Sequence, residues 1–316
     1  MNCIICNGLV KKKYSLYDDR YGYPGFFDIY ECNNCKHKFT NNNFEDKDLT
    51  DLYTNYYPRK ELSINDYKPF NFKNNFSDWL KGTKSHAYTY VPKGVTILDI
   101  GCGFCESIGY HVNRGCDVFG VEADSNVKKI AEAHNFNIKI GLFNAEDYQE
   151  NYFDYVTLDQ VLEHSVDPKN FLFDINKILK DNGSVVISIP NSNSLNSKIF
   201  KKKWIHWHIP YHLNFFSKES LKLLVEETGF EVKSIKTVTS VEWLFYQHIH
   251  LVTYPKEGME SVFWTHKIKE NLGIKKKIFI KLFAILHKLK INHIITKIID
   301  VFGLGDNYVV ILKKNL

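Results

Sequence analysis

The stretch VTILDIGCGFCES, residues 95–107, constrains the fold of this chain more than any other. Its apolar run from Val95 to Ile100 has the length of a strand buried on both faces. Gly101 and Gly103 follow at once, where the backbone needs freedom to turn sharply into a helix. The helix is expected to reach about Arg114, and the alternation then repeats. DVFGVE (117–122) predicts a second strand, SNVKKIAEAHN a helix capped by Ser125, and NIKIG a third strand. FDYVTLD (153–159) predicts a fourth strand, and DPKNFLFDINKILKDNG a helix with Pro168 in its first turn and Gly183 past its end. SVVISIP, a helix over SKESLKLLVEETGF and EVKSIKTV complete the run, and DNYVVILKK (306–314) returns as a final strand. Strands alternating with helices build a parallel α/β sheet.

Two carboxylates, Asp99 and Glu106, sit in or beside the glycine turn. They would repel a pyrophosphate at the helix N-terminus, and position 106 lacks the third glycine of a dinucleotide fingerprint. A ligand with an ammonium group and no phosphate suits such a turn. Glu122 closes the second strand, where a carboxylate accepts both hydroxyls of a ribose. Ribose joined to a cationic tail describes S-adenosylmethionine.

Four motifs in order, ILDIGCG, VFGVEAD, FDYVTLDQVLEH and GSVVISIPN, resemble the class I methyltransferase superfamily over roughly residues 93–240 and the last strand. The resemblance implies a Rossmann-like sheet of seven strands with the last inserted antiparallel. It implies that the backbone of Gly101, Cys102 and Gly103 approaches the methionine moiety and that Asp99 orients its tail. Glu122 would hold the ribose, Ala123 would pack on the adenine, and Leu142 and Phe143 would flank it. Asp159 and Gln160 would face the cofactor from the end of the fourth strand.

Of the seven cysteines, four form Cys3-x2-Cys6 and Cys32-x2-Cys35. Two such pairs separated by 25 residues are the layout of a zinc ribbon, each pair supplying two thiolates on a tight knuckle. Four thiolates leave no open coordination position, so this Zn2+ is expected to be structural. The chain then divides into a ribbon module (1–42), a Tyr-rich connecting or lid segment (43–92), the cofactor-binding domain (93–240 with 304–316) and a helical insert (241–303).

Two histidines compete for the acceptor chemistry. His164 lies in VLEHSVDP, which resembles ubiquinone-biosynthesis O-methyltransferases whose Glu-x-x-Glu-His is implicated in metal binding. Gln160 replaces the first glutamate here, and a neutral amide is a poorer ligand for a hard cation, so no catalytic metal is expected. His212 lies in WIHWHIPYHLNFFS, at the edge where open α/β sheets bind ligands. That segment is similar to zinc-containing sugar C-methyltransferases, which implies that His212 is the acceptor's base, although Tyr211 stands where they carry glutamate. By the same resemblance Tyr56 or Tyr57 reaches the acceptor. Trp204, Trp207, Tyr211 and Phe215 either stack on a sugar ring or roof the cleft.

The net charge of +5 is mild, and no dense basic–aromatic patch suggests nucleic acid. The absence of eighteen consecutive apolar residues and of a secretory N-terminus leads to a cytoplasmic expectation. Residues 267–302 are lysine-rich with apolar residues at helical spacing, so they either pack on the domain or touch anionic lipid at the inner face of the membrane. The leading expectation is an S-adenosylmethionine-dependent methyltransferase acting on a sugar or sugar-nucleotide of bacterial surface polysaccharide. The alternatives are a phenolic or quinone-type acceptor, and a non-catalytic partner protein on the same fold. Oligomeric state is not encoded in any motif.

Overall fold

The structure, a computed structural model, describes residues 1–41, 52–56, 63–267 and 272–315. The N-terminal strands β1 (Val10–Leu16), β2 (Phe27–Cys32) and β3 (Lys38–Thr40) form an antiparallel meander, with one cysteine pair ahead of β1 and the other at the β2–β3 turn beside it. A short helix α1 (Phe76–Lys81) follows, started by an Asn75–Asp78 capping box and stopped by Gly82 in the left-handed conformation.

From there the strand–helix alternation unfolds as β4 (Thr96–Ile100), α2 (Glu106–Val112), β5 (Asp117–Glu122), α3 (Lys128–Ala133), β6 (Asn137–Ile140), β7 (Phe153–Asp159), α4 (Pro168–Ile178) and β8 (Leu179–Pro190). Next come α5 (Leu195–Phe200), β9 (Asn214–Phe215), α6 (Lys218–Glu227), β10 (Phe230–Val238), α7 (Val241–Val252), α8 (Ile274–Lys288), α9 (Ile291–Val301) and β11 (Asn307–Lys314). The main sheet has seven strands in the order β10-β11-β8-β7-β4-β5-β6, with β11 antiparallel to both neighbours. This is the α/β Rossmann-like sheet expected of the motifs. Its central strands β4, β7 and β8 are parallel and supply fully buried residues such as Leu98, Val156 and Ile187.

Two local expectations are corrected. Asp124, not Ser125, is the capping side chain: it accepts from the amide of Asn126 and caps the 3-10 turn Ser125–Val127 that leads into α3. The helix from Pro168 ends at Ile178, and Gly183 lies inside β8, because Leu179 pairs with Phe153 and draws the chain into the sheet early.

The two sheets are joined. β3 pairs with β9, Lys38 opposite Phe215 and Phe39 opposite Asn214, so a strand of the second half of the chain completes the N-terminal sheet. Ser217, which caps α6 in a box with Ser220, also donates its hydroxyl to the carbonyl of Cys35 at 2.6 Å. The described part of the connecting segment packs over the mouth of the main sheet. Tyr67 donates to the Cys105 carbonyl at 3.0 Å, and the amide of Phe70 donates to the Glu106 carbonyl.

Candidate active site

The cofactor end is built on the glycine turn after β4. Gly101 has φ +71°, and a Cβ there would meet Val161 at 2.5 Å, so only glycine fits. The amides of Gly101 and Cys102 both donate to the Val121 carbonyl, at 2.8 and 3.1 Å, which ties the turn to β5. A Cβ on Gly103 would meet nothing within 4 Å. The backbone is therefore open to a ligand at that point.

Glu122 is half-buried at the end of β5. One of its oxygens accepts from the Gly103 amide and the other from the Asp124 amide, each at 2.9 Å. Each carboxylate oxygen has a second lone pair available. Asp99 is buried beneath the turn, where it accepts from Ser107 and, at 2.6 Å, from Thr157, and burial pushes its carboxyl up to about 6. It braces α2 and β7 against the turn from below. The thiol of Cys102 also points inward, close to Gly120, leaving its backbone at the cleft.

The other rim residues are spread more widely. Ala123 is exposed beside Glu122, and Leu142 is 81% exposed. Phe143 is half-buried and packs toward Tyr148 and Phe171, ring centroids 6.3 and 5.5 Å away. Asp159 ends β7 with one oxygen 2.9 Å from His86 Nδ1, while its other oxygen is buried without a partner among the described residues. Burial pulls the His86 pKa down, but the Asp159 carboxylate outweighs it and the net direction is up. Gln160 is held at φ +59°, and its side chain donates to Ser188 at 3.1 Å and Asn307 at 3.4 Å.

The acceptor end forms where residues 162–165 meet the loop 204–216. His164 Nδ1 lies 2.9 Å from the Tyr211 carbonyl, and His212 Nδ1 lies 3.0 Å from the His206 carbonyl. A carbonyl can only accept, so in both neutral rings Nδ1 carries the hydrogen and Nε2 keeps its lone pair. The two rings stand edge to face with centroids 4.7 Å apart. Both side-chain oxygens of Glu163 are buried there with no partner from another described residue, and burial pushes its carboxyl up to about 8. Glu163, His164 and His212 bring ligand atoms within 4.8 Å of one another, so the trio can hold a cation or pass a proton.

Arg20, from the loop between β1 and β2, is buried in the same region. It donates to the Ile205 carbonyl at 2.6 Å and lies over Trp264 at 4.0 Å, while its Nε has no partner among the described residues. Burial first, and then this guanidinium, hold His164 down to about 4 and His206 to about 3. His212 is held well below the ordinary value by burial, by His164 and by Arg20. These imidazoles are neutral at pH 7.

The aromatics of this loop are core. Trp204, Trp207 and Phe215 are packed with Leu16 and Ile29 of the N-terminal sheet, and Tyr211 meets Tyr21 edge-on at 5.6 Å. Packed against the N-terminal sheet, they do not offer a face to a sugar ring. Tyr56 joins Tyr23 at 4.9 Å, and Tyr57 lies outside the described residues. Sequence reasoning missed His86 and Arg20. Neither sits in a spaced motif, and Arg20 is 185 positions from the carbonyl it binds.

The four N-terminal cysteines meet. Cys3 and Cys35 sulfurs are 3.6 Å apart, Cys6 and Cys32 sulfurs 3.4 Å apart, and all four lie within 4.8 Å of one another. Thiolates about 2.3 Å from a tetrahedral zinc ion stand about 3.8 Å apart, so the cluster fits such an ion. The amides of Ile5 and Asn34 each approach a cysteine sulfur at 3.4 Å, which favours thiolate charge.

Comparison with known proteins follows the same line. Residues 65–235 match the family described as a methyltransferase domain. The ubiquinone biosynthesis O-methyltransferase of Hydrogenovibrio crunogenus is 29% identical over 154 residues, which cover 44% of this chain and 63% of that protein. The demethylmenaquinone methyltransferase of Staphylococcus saprophyticus is 27% identical over 176 residues, 47% of this chain and 76% of that one. A crystal structure of an S-adenosylmethionine-dependent methyltransferase from Archaeoglobus fulgidus is similar at 21% identity and TM-score 0.45, covering 77% of this chain and 100% of that chain. With its matched residues spanning the glycine turn, Glu122 and the end of β7, the chain belongs to the methyltransferase-domain family and is an S-adenosylmethionine-dependent methyltransferase.

Proposed function

We propose that the protein methylates a hydroxyl-bearing small molecule or glycan precursor, with His212 as the acceptor's base and a sugar or sugar-nucleotide as the acceptor class. S-adenosylmethionine supplies a methyl group on a sulfonium that is already a good leaving group. The chain's own residues supply alignment and a place for the proton. Glu122 accepts the ribose hydroxyls, the open backbone at Gly103 admits the methionine moiety, and the unpartnered oxygen of Asp159 faces positive charge. At the other end the lone pair of His212 Nε2 takes the acceptor proton.

The observation that carries this reading is the buried group of neutral imidazoles around His164 and His212, set beside Arg20. Among the described residues no carboxylate pairs with this buried guanidinium, which suits an anionic acceptor such as a nucleotide-linked sugar. The phenolic alternative draws on the names of two relatives, which are quinone-pathway enzymes. Incubation with labelled S-adenosylmethionine and a panel of sugar-nucleotides and catechol-type phenols separates the two. Label in the phenol alone removes the sugar assignment.

Glu122→Ala removes acceptors from both the turn and the ribose. Hydrogen bonds to a charged group are each worth about 1.5–3 kcal/mol, so S-adenosylmethionine affinity should fall roughly 10- to 100-fold by calorimetry. Unchanged affinity would show that the ribose lies elsewhere. We assign the four-cysteine cluster to structural zinc and the module around it to a wall of the acceptor cleft, on the strength of Arg20.

A further inference from the structure

Helices α8 and α9 leave their apolar faces uncovered. α8 packs on α7 through one stripe, where Phe283 stacks on His248 at 4.5 Å and His287 meets Phe245 at 4.9 Å. Its opposite stripe, Ile274, Ile278, Leu282 and Ile285, follows the helical repeat and is exposed throughout, with Ile274 79% exposed. α9 is inverted relative to a helix that covers a core. Its buried side carries Asn292, His293 and Thr296 with Ile299, while Ile294, Ile298, Val301 and Phe302 face outward, Val301 at 80% exposure. Phe76 and Trp79 of α1 continue the same surface across a groove lined by Leu80, Ile294 and Ile298.

The hairpin at this surface is strongly basic. Residues 274–302 contain seven lysines and a single acid, Asp300, which is paired with Lys297 at 2.8 Å. On α8, Lys277, Lys281 and Lys288 run down one border of the exposed apolar stripe and Lys275 lies on the other. Long lysine stems at the border of an apolar face let the ammonium groups reach a headgroup layer while the stems stay in contact with it. A second copy of the chain on this face would bring the lysines of the hairpin against one another, while Asp300 is already paired with Lys297. Among the described residues no helix is long and apolar enough to cross a membrane, so the hairpin can lie on a bilayer and not span it.

We propose that the α8–α9 hairpin, extended by Phe76 and Trp79, is a docking face for an anionic phospholipid surface. It seats the protein in the interface with the apolar stripes down and the lysines at headgroup level. The proposal does not depend on the identity of the methyl acceptor.

Sedimentation of the full-length protein with vesicles tests it. Vesicles of phosphatidylcholine with about one-third phosphatidylglycerol should bind at least tenfold more tightly than phosphatidylcholine alone, and high salt should reverse most of the difference. Ile278→Ser with Ile294→Ser, and separately Lys277→Glu with Lys281→Glu, should each abolish most of the binding. Both pairs are exposed, so melting temperature and methyl transfer to a soluble acceptor should be retained. Equal binding to neutral and anionic vesicles, or binding to neither, overturns the proposal. So does a concentration-dependent dimer in ultracentrifugation that Ile294→Ser dissolves, which would assign the face to a second copy.

Discussion

Removing the metal from the four-cysteine cluster, by strong chelation or by Cys35→Ser, is expected to unfold the N-terminal sheet and abolish methyl transfer. Thiolate-bound zinc contributes apparent free energies of about 10–16 kcal/mol to small modules of this kind. A module below about 40 residues rarely has enough core to hold without such help. The damage should not stay local. The N-terminal sheet shares β9 with the loop that carries the histidines, Cys35 accepts from Ser217, and Asn214 contacts His37 at 3.2 Å. Losing β3 removes the partner of Asn214 and Phe215, two and three residues past His212. Elemental analysis should find one zinc per chain, and circular dichroism and turnover should fall together as it leaves. Full turnover with an unchanged melting curve after complete metal loss would mean that the cluster is dispensable.

Replacing His212 with Ala should lower turnover by roughly 10²- to 10⁴-fold, the usual contribution of a positioned general base, with S-adenosylmethionine affinity intact. His212→Asn is the sharper variant. It can keep a donor toward the His206 carbonyl while lacking the basic Nε2, so it separates support of the loop from proton transfer. The pH profile carries a second signature. The base works as the neutral ring, and burial holds His212 well below the ordinary histidine value, so activity should persist as pH falls through 6.5 where an exposed histidine would protonate. A rate that halves near pH 6.5 in the wild type, or full turnover in His212→Asn, would move the base elsewhere. His164, held to about 4, is the first place to look, because its ring lies 4.7 Å from that of His212 and Glu163 is beside it.

Legibility followed locality. The glycine turn, the ends of β5 and β7 and the two cysteine pairs were all readable, because strand periodicity, a positive φ and ligand spacing are short-range demands on residue type. Gly101 illustrates this: its φ and the nearness of Val161 exclude any side chain. Asp99 illustrates the limit. Its position before the turn was plain, but its burial against Ser107 and Thr157 depends on the neighbouring strand and helix. Trp204 and Trp207 could equally have been a stacking platform until the N-terminal sheet was seen to cover them.

The linear order of residues determined the α/β alternation, the carboxylate at the end of β5 and the thiol cluster, since each follows from local backbone preference or fixed spacing. Tertiary structure alone decided that β9 would complete the N-terminal sheet, that Arg20 would lie among histidines nearly two hundred positions away, and that Ile294 and Ile298 of α9 would face outward. A helical repeat specifies a stripe and leaves open which way it turns. That choice belongs to the whole packing problem, where α9 could bury Asn292, His293 and Thr296 only because the rest of the fold closed around them.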